Sequence, residues 1–250
     1  MDQSQLLTQC GSQKISREQL AVIPTPEGSM THQPISHHEV VRALVESLSF
    51  RHISVVRDEY AVSKDGMKMF GVLDLETTFD GCRFSIGIRN SNDKSMRLAL
   101  TVGYRVLVCD NMAFHGDFTP VLAKHTKNLS LADTLSIGVD RMQRSFEPMK
   151  RQVEGWKASR LSEDDARLVI YGAFVEGKLD VPKHLAPLVH DLYFYPQADE
   201  FASRTMWSLS NAFTSAFKDL DPIPQFKATA KLALFLGCAP EKPLSIGAAA

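Results

Sequence analysis

The densest polar run in the chain is Arg89-Asn90-Ser91-Asn92-Asp93-Lys94-Ser95. Asn, Ser and Asp are what turns need, so its plain reading is a loop between strands. The same side chains offer donors and acceptors able to hold a phosphate, a metal or a base. Asp93 is the only carboxylate in the run, so a metal there needs ligands from elsewhere. Arg105 stands in an otherwise apolar stretch. Period-2 alternation permits a solvent-facing arginine, whereas an inward one must be paired. Pointing inward, it can bind a carboxylate such as Asp93 or Asp110, or an anionic ligand. Cys109, Asp110 and Asn111 follow, with His115 and His125 beyond them. A Cys/His pair raises a nucleophile hypothesis, set against the simpler reading of a packed, inert thiol. The candidate catalytic set is therefore Asn92, Asp93, Arg105, Cys109, Asn111 and His125, with Arg89 beside them. Arg105 and the 90–95 loop are expected to share one polar site. Arg105 lies ten residues after Ser95, about 33 Å along an extended strand. The shared site therefore requires a bent strand or a returning chain after Cys109.

A second group of charges suggests a different chemistry. Residues 141–160 hold six basic side chains (Arg141, Arg144, Lys150, Arg151, Lys157, Arg160) against Glu147 and Glu154, and include Phe146 and Trp156. Basic and aromatic side chains together can bind a nucleic-acid strand, while a solvated helix face with buried aromatics is the plainer reading. The candidate nucleic-acid contacts are Arg89, Lys94, Arg105, Arg141, Arg144, Lys150 and Arg151. His32, His37 and His38 lie at or before a helix start without a third ligand at zinc spacing, so no metal and no cofactor are expected.

These residues need elements to position them. Ser36 and Glu39 read as a capping box, followed by Val40, Val41, Leu44, Val45 and Leu48 at helical spacing, which predicts a helix to about Ser49. Strand patterns then cover 52–63, 68–79, 82–89 and 96–108. Lys64-Asp65-Gly66 marks one turn and Asp80-Gly81 a tight hairpin. The short linkers imply an antiparallel meander. After Asn128 the texture becomes helical. Leu131, Leu135, Val139, Met142 and Phe146 predict a long amphipathic helix, which Pro148 either kinks or ends. Ser162 with its acidic followers reads as an N-cap, and Gly177 as a stop. Further helices are expected over 182–192, 199–218 and 225–236. The predicted fold is α+β: an antiparallel sheet of four or five strands packed on the N-terminal helix, then a helical C-terminal segment. Residues 1–30 read as a flexible arm and 238–250 as a flexible tail. Residues 31–237 read as one domain, strand-rich to 128 and helical from 129. Trp207, Phe213 and the late helices are expected to cover the sheet's other face.

Composition limits the partners. In 250 residues the formal net charge is −1, so nucleic-acid binding must come from a local patch rather than a global field. Cys10, Cys82, Cys109 and Cys238 form no C-x-x-C pair, which fits a reducing cytoplasm and disfavours a disulfide framework. The polar first 13 residues lack a secretory h-region, and no apolar run reaches membrane-spanning length. The expected location is cytoplasmic, with no membrane partner.

The order of these motifs carries a resemblance. Ile88 to Ser95, then Gly103-Tyr104-Arg105-Val106-Leu107-Val108-Cys109-Asp110-Asn111, then His125-Thr126, resembles the phage/plasmid-like family of domains of unknown function number 932. Trp207-Ser208-Leu209-Ser210-Asn211-Ala212-Phe213-Thr214 looks like that family's W-x-x-x-N-A-x-T helix. Pro34 to Val41 is similar to its Pro-x-x-His-x-x-Val helix start. The likeness covers roughly residues 30–220. Where the family often has Asn-Ser-His-Asp-Gly-Ser, this chain has Asn90-Ser91-Asn92-Asp93-Lys94-Ser95, without the loop histidine and glycine. The resemblance implies a protein of prophages, plasmids and other mobile elements and supplies no reaction. Two functions follow as expectations: a mobile-element accessory protein that binds DNA or RNA, or an enzyme using the polar Arg/Asn/Asp/His set.

Overall fold

The computed structural model describes residues 12–115, 119–220 and 222–237. The fold is α+β, as the patterning predicts, with a helical C-terminal segment. Strands β2 (Val55–Ser63), β3 (Lys68–Phe79), β4 (Cys82–Ser91) and β5 (Leu98–Val106) pair in sequence order as an antiparallel meander. At the β3–β4 hairpin Phe79 pairs with Cys82, and Asp80 and Gly81 have φ of 41° and 77°. Positive φ at both central residues is the type I′ requirement, which is why glycine belongs at 81.

The sheet is larger than the periodicity indicates, with seven strands among the described residues rather than four or five. Residues 12–20, within the stretch read as an arm, form β1 (Ser12–Ile15) and the one-turn helix α1 (Arg17–Leu20). β1 pairs with β2, and Leu20 is fully buried. The first eleven residues and 238–250, the expected tail, lie outside the described residues. On the other flank β6 (Met112–Phe114) and β7 (Val121–Ala123) both pair with β5. Three residues are too few to display a period of two. Gly103 permits the close packing of β6: a Cβ there would sit 2.3 Å from the Ala113 carbonyl oxygen.

Helix α2 (His37–Ser49) starts where predicted, but Ser36 makes no side-chain capping bond. The helix entry is fixed from outside instead. Asn90 Nδ2 donates to the Ile35 carbonyl (2.9 Å), and Asn92 Oδ1 accepts from the Ile35 amide (3.0 Å). Helix α3 (Leu131–Ala158) runs through Pro148, which sits on its exposed side, where water can satisfy the carbonyl left without a donor. Ser162 caps α4 (Glu163–Phe174) by accepting from the Asp165 amide, and Gly177 follows with φ 70°. α5 (Ala186–Phe194), α6 (Met206–Ala216) and α7 (Pro222–Gly237) follow in the described residues. Short 3-10 turns at 199–201 and 217–219 flank α6, which is therefore shorter than the predicted helix. No helix among the described residues is long and apolar enough to cross a membrane.

Trp207 and Phe213 of α6 do not cover the face opposite α2, and of the late helices α7 alone packs there among the described residues. Tyr60, Leu73, Ile86, Val102 and Tyr104, on alternate strand positions, share one hydrophobic cluster with Leu44 of α2, Val139 of α3 and Phe213 of α6. Phe84 stacks on Phe146 (4.1 Å between centroids), and Tyr104 lies against Trp207 (5.9 Å). The second face carries a small cluster, Ala61, Val72, Met112 and Phe114, with Phe70 and Phe226 of α7 packed on it. Along that face the apolar end gives way to Glu59, Asp74, Ser85 and Arg105, all buried.

Candidate functional site

The structure divides the sequence candidates between opposite ends of the sheet. Arg105 pairs with Arg83 across β4 and β5, while Ser91 closes the far end of β4. Ser91 lies eight residue steps along the strand from Arg83, about 26 Å. The expected single site joining Arg105 to the 90–95 loop does not exist.

Arg105 is a structural ion-pair partner. Its side chain is 3% exposed, and Nε donates to Asp74 Oδ2 at 2.7 Å. Glu59 and Asp110 stand 3.8 Å from its terminal nitrogens. Ser85 Oγ donates to the other Asp74 oxygen at 2.6 Å. So enclosed an arginine cannot touch a nucleic-acid phosphate, which corrects its place among the binding candidates. Cys109 and Asn111 lie at this same end. Asn111 Nδ2 donates to the Asn211 carbonyl (3.2 Å) and side-chain oxygen (3.1 Å), tying the β5–β6 hairpin to α6. Burial pushes the Cys109 thiol up, opposed by a backbone hydrogen bond from Asn111. A thiol held protonated is a poor nucleophile. His125 is at the other end, so Cys109 and His125 are not brought together.

At that other end Asn90, Ser91 and Asn92 are not a solvated loop. Asn90 and Ser91 belong to β4, and all three are buried. Asn90 anchors a chain of hydrogen bonds. The Gly66 carbonyl lies 2.8 Å from His37 Nε2, and His37 Nδ1 lies 2.9 Å from Asn90 Nδ2. Asn90 Oδ1 lies 2.6 Å from His125 Nε2. His32 clips the same corner, its ring nitrogens 3.1 Å from the His125 carbonyl and 3.2 Å from the Asn92 carbonyl. Burial lowers the pKa of His37 against the opposing Gly66 hydrogen bond. Burial, then the neighbouring His32 and His37, lowers that of His125. Asp93 turns back on its own loop, accepting from Ser91 Oγ, from the Ser95 amide (3.0 Å) and from Ser95 Oγ (2.6 Å). Lys68 stands 3.2 Å away. Burial alone would raise the Asp93 carboxyl, but these donors hold it well below the usual carboxylate range.

Above this corner opens a cleft of about 480 Å³. Lys94, Arg97 and Lys124 line it, with His32 and His125 and the hydroxyls of Thr31, Ser95 and Thr126. Among the described residues no carboxylate lines it. The three cations are exposed and make no ion pair among the described residues. Leu98 pairs with Ala123, so Arg97 and Lys124 are the next residues outward on adjacent strands. A second depression of about 400 Å³ near α7 is balanced instead, with Lys227 and Lys231 beside Asp180 and Asp219.

The remaining binding candidates are dispersed. Arg89 is half-buried on the second sheet face, its guanidinium 6.0 Å from the Phe226 ring centroid, and burial lowers its pKa. Arg141, Arg144 and Arg151 lie exposed on α3, and Lys150 is half-buried. Lys157 is engaged with Asp80 and with the Trp207 ring. Phe146 and Trp156 pack inward, so the expected basic-aromatic surface on α3 has lost its aromatics. Of the catalytic candidates, Asn92, Asp93 and His125 gather at one end of the sheet, and Arg105, Cys109 and Asn111 at the other. Sequence reasoning missed Arg97, Lys124, His32 and His37 as parts of this corner. The one available signal was charge near the strand ends, at Arg97 and Lys124. No family model, curated protein or solved structure matches the chain.

Proposed function

We propose that the chain is a phage/plasmid-like accessory protein of mobile genetic elements that binds nucleic acid, gripping its phosphates with Lys94, Arg97 and Lys124. The observation that carries the reading is the cleft itself: three cations with neither an ion pair nor a lining carboxylate among the described residues, over a hydrogen-bonded floor. Exposed like charges repel one another, and an arrangement that leaves them unneutralised suits an anionic partner. The mobile-element setting is supported by the order of the sequence motifs alone, which is an associational argument. An enzymatic reading draws on His125, which lines the same cleft.

Affinity for single- and double-stranded DNA and RNA, measured by fluorescence anisotropy across a salt series, tests the proposal. Three phosphate contacts on a single strand give a log–log salt slope of about −2. The Arg97→Ala/Lys124→Ala variant should weaken binding and flatten that slope by about 1.4. Arg144→Ala/Arg151→Ala should leave both unchanged. Parental affinity and slope in the cleft variant would remove the cleft from the interface.

A further inference from the structure

We infer that the cleft selects RNA over DNA, because it presents a hydrogen-bond acceptor, His125 Nδ1, beside its cations. The inference rests on the reading that the cleft binds nucleic acid. Its basis is the direction of the hydrogen bonds beneath. The Ile35 carbonyl can only accept, so the Asn90 amide must place Nδ2 there, at 2.9 Å. Asn90 Oδ1 then faces His125, and the contact at 2.6 Å requires a proton on His125 Nε2. His37 agrees with this direction: its Nε2 donates to the Gly66 carbonyl, leaving Nδ1 to accept the second Asn90 amide hydrogen. Burial favours the neutral ring at position 125. A neutral imidazole protonated at Nε2 carries a lone pair on Nδ1. His125 is 5% exposed and lines the cleft, and its Nδ1 has no partner among the described residues. It is not among the fully enclosed unpartnered atoms, so it is open to the cleft.

A phosphate oxygen cannot satisfy that lone pair, since both are acceptors. A ligand that displaces water from Nδ1 without losing that hydrogen bond carries a donor close to its phosphates. In a nucleic-acid backbone the ribose 2′-hydroxyl is such a donor, and deoxyribose has none. Lys94, Arg97 and Lys124 then hold the phosphates while Nδ1 accepts from the sugar.

The test uses the unmodified protein and four oligouridine strands of equal length, with ribose, 2′-deoxyribose, 2′-O-methyl or 2′-fluoro sugars. Base and phosphate charge are constant, and only ribose has the donor. The ribose strand is expected to bind roughly tenfold tighter than the other three, the worth of one hydrogen bond. Equal affinity for ribose and deoxyribose strands overturns the inference and leaves nucleic-acid binding standing. A 2′-O-methyl strand that binds like ribose also overturns it, because sugar shape would then be the determinant. No binding to any strand removes the underlying reading. The strand series decides without requiring a variant to fold. In a folded His125→Phe variant, the ribose preference should vanish while the salt slope persists.

Discussion

Replacing Arg105 with methionine should destabilise the fold by about 3–5 kcal/mol and leave nucleic-acid affinity unchanged, because it strands a buried carboxylate far from the cleft. The side chains of Arg105, Asp74 and Glu59 are 3%, 2% and 5% exposed. Glu59 keeps a cation when Arg105 is lost, since Arg57 donates to it at 2.7 Å and Lys14 stands at 3.7 Å. Asp74 retains the Ser85 hydroxyl as its hydrogen-bond donor, with the Arg57 guanidinium acting on it only at longer range. One uncompensated charge therefore sets the size of the effect. Against a total stability of about 5–15 kcal/mol, this is a large fraction. At roughly 2–4 °C per kcal/mol for a domain of this size, Tm should fall by about 6–20 °C. Adding Asp74→Asn removes the stranded charge and preserves the Ser85 hydrogen bond, so the double variant should recover most of the loss. Urea unfolding followed by tryptophan fluorescence measures all members of the cycle. A single variant within about 1 kcal/mol of the parent would refute the argument. So would a double variant no more stable than Arg105→Met. Lost affinity in the folded single variant would return Arg105 to the ligand site.

Two further outcomes follow from burial. Trp207 is 2% exposed, against Tyr104 and beneath the Lys157 ammonium (5.1 Å), so Trp207→Ala should cost about 3–5 kcal/mol; a thermal melt matching the parent would place Trp207 on a surface. Acid should also destabilise the protein: burial pushes His115 down to about 4, and His37 and His125 are lowered too. Below the ordinary histidine value of about 6.5 the unfolded chain binds more protons, so stability present above that pH is lost as pH falls towards the folded values, His115 alone contributing about 3 kcal/mol. Urea midpoints at pH 7.5 and pH 5 check the sign, and a higher midpoint at pH 5 would contradict it.

The meander was legible because its signals are local: alternation over 55–106, and turn chemistry at Asp80-Gly81 that only a short hairpin satisfies. Distance along the chain also foretold the division of the candidates, since Arg105 cannot reach the 90–95 loop along its own strand. The composition of the polar run misled because Asn and Ser serve turns and buried networks equally. Here Asn90 and Ser91 end a strand, and the asparagines supply the donor and acceptor that a helix entry lacks. The histidine corner had no local signal. His37 and Asn90 are 53 residues apart, and Asn90 and His125 are 35 apart. Only the pairing of β7 with β5 brings Lys124 and His125 beside the loop after β4, and a three-residue strand is invisible to periodicity. The cleft is thus a product of the sheet's closing edge. Arg97 and Lys124 flank β5 and β7, Lys94 comes from the β4–β5 loop, and the imidazole acceptor is oriented through Asn90 by a backbone carbonyl next to α2. A change that loosens β7 should therefore act on both at once, on phosphate grip through Lys124 and on sugar recognition through His125.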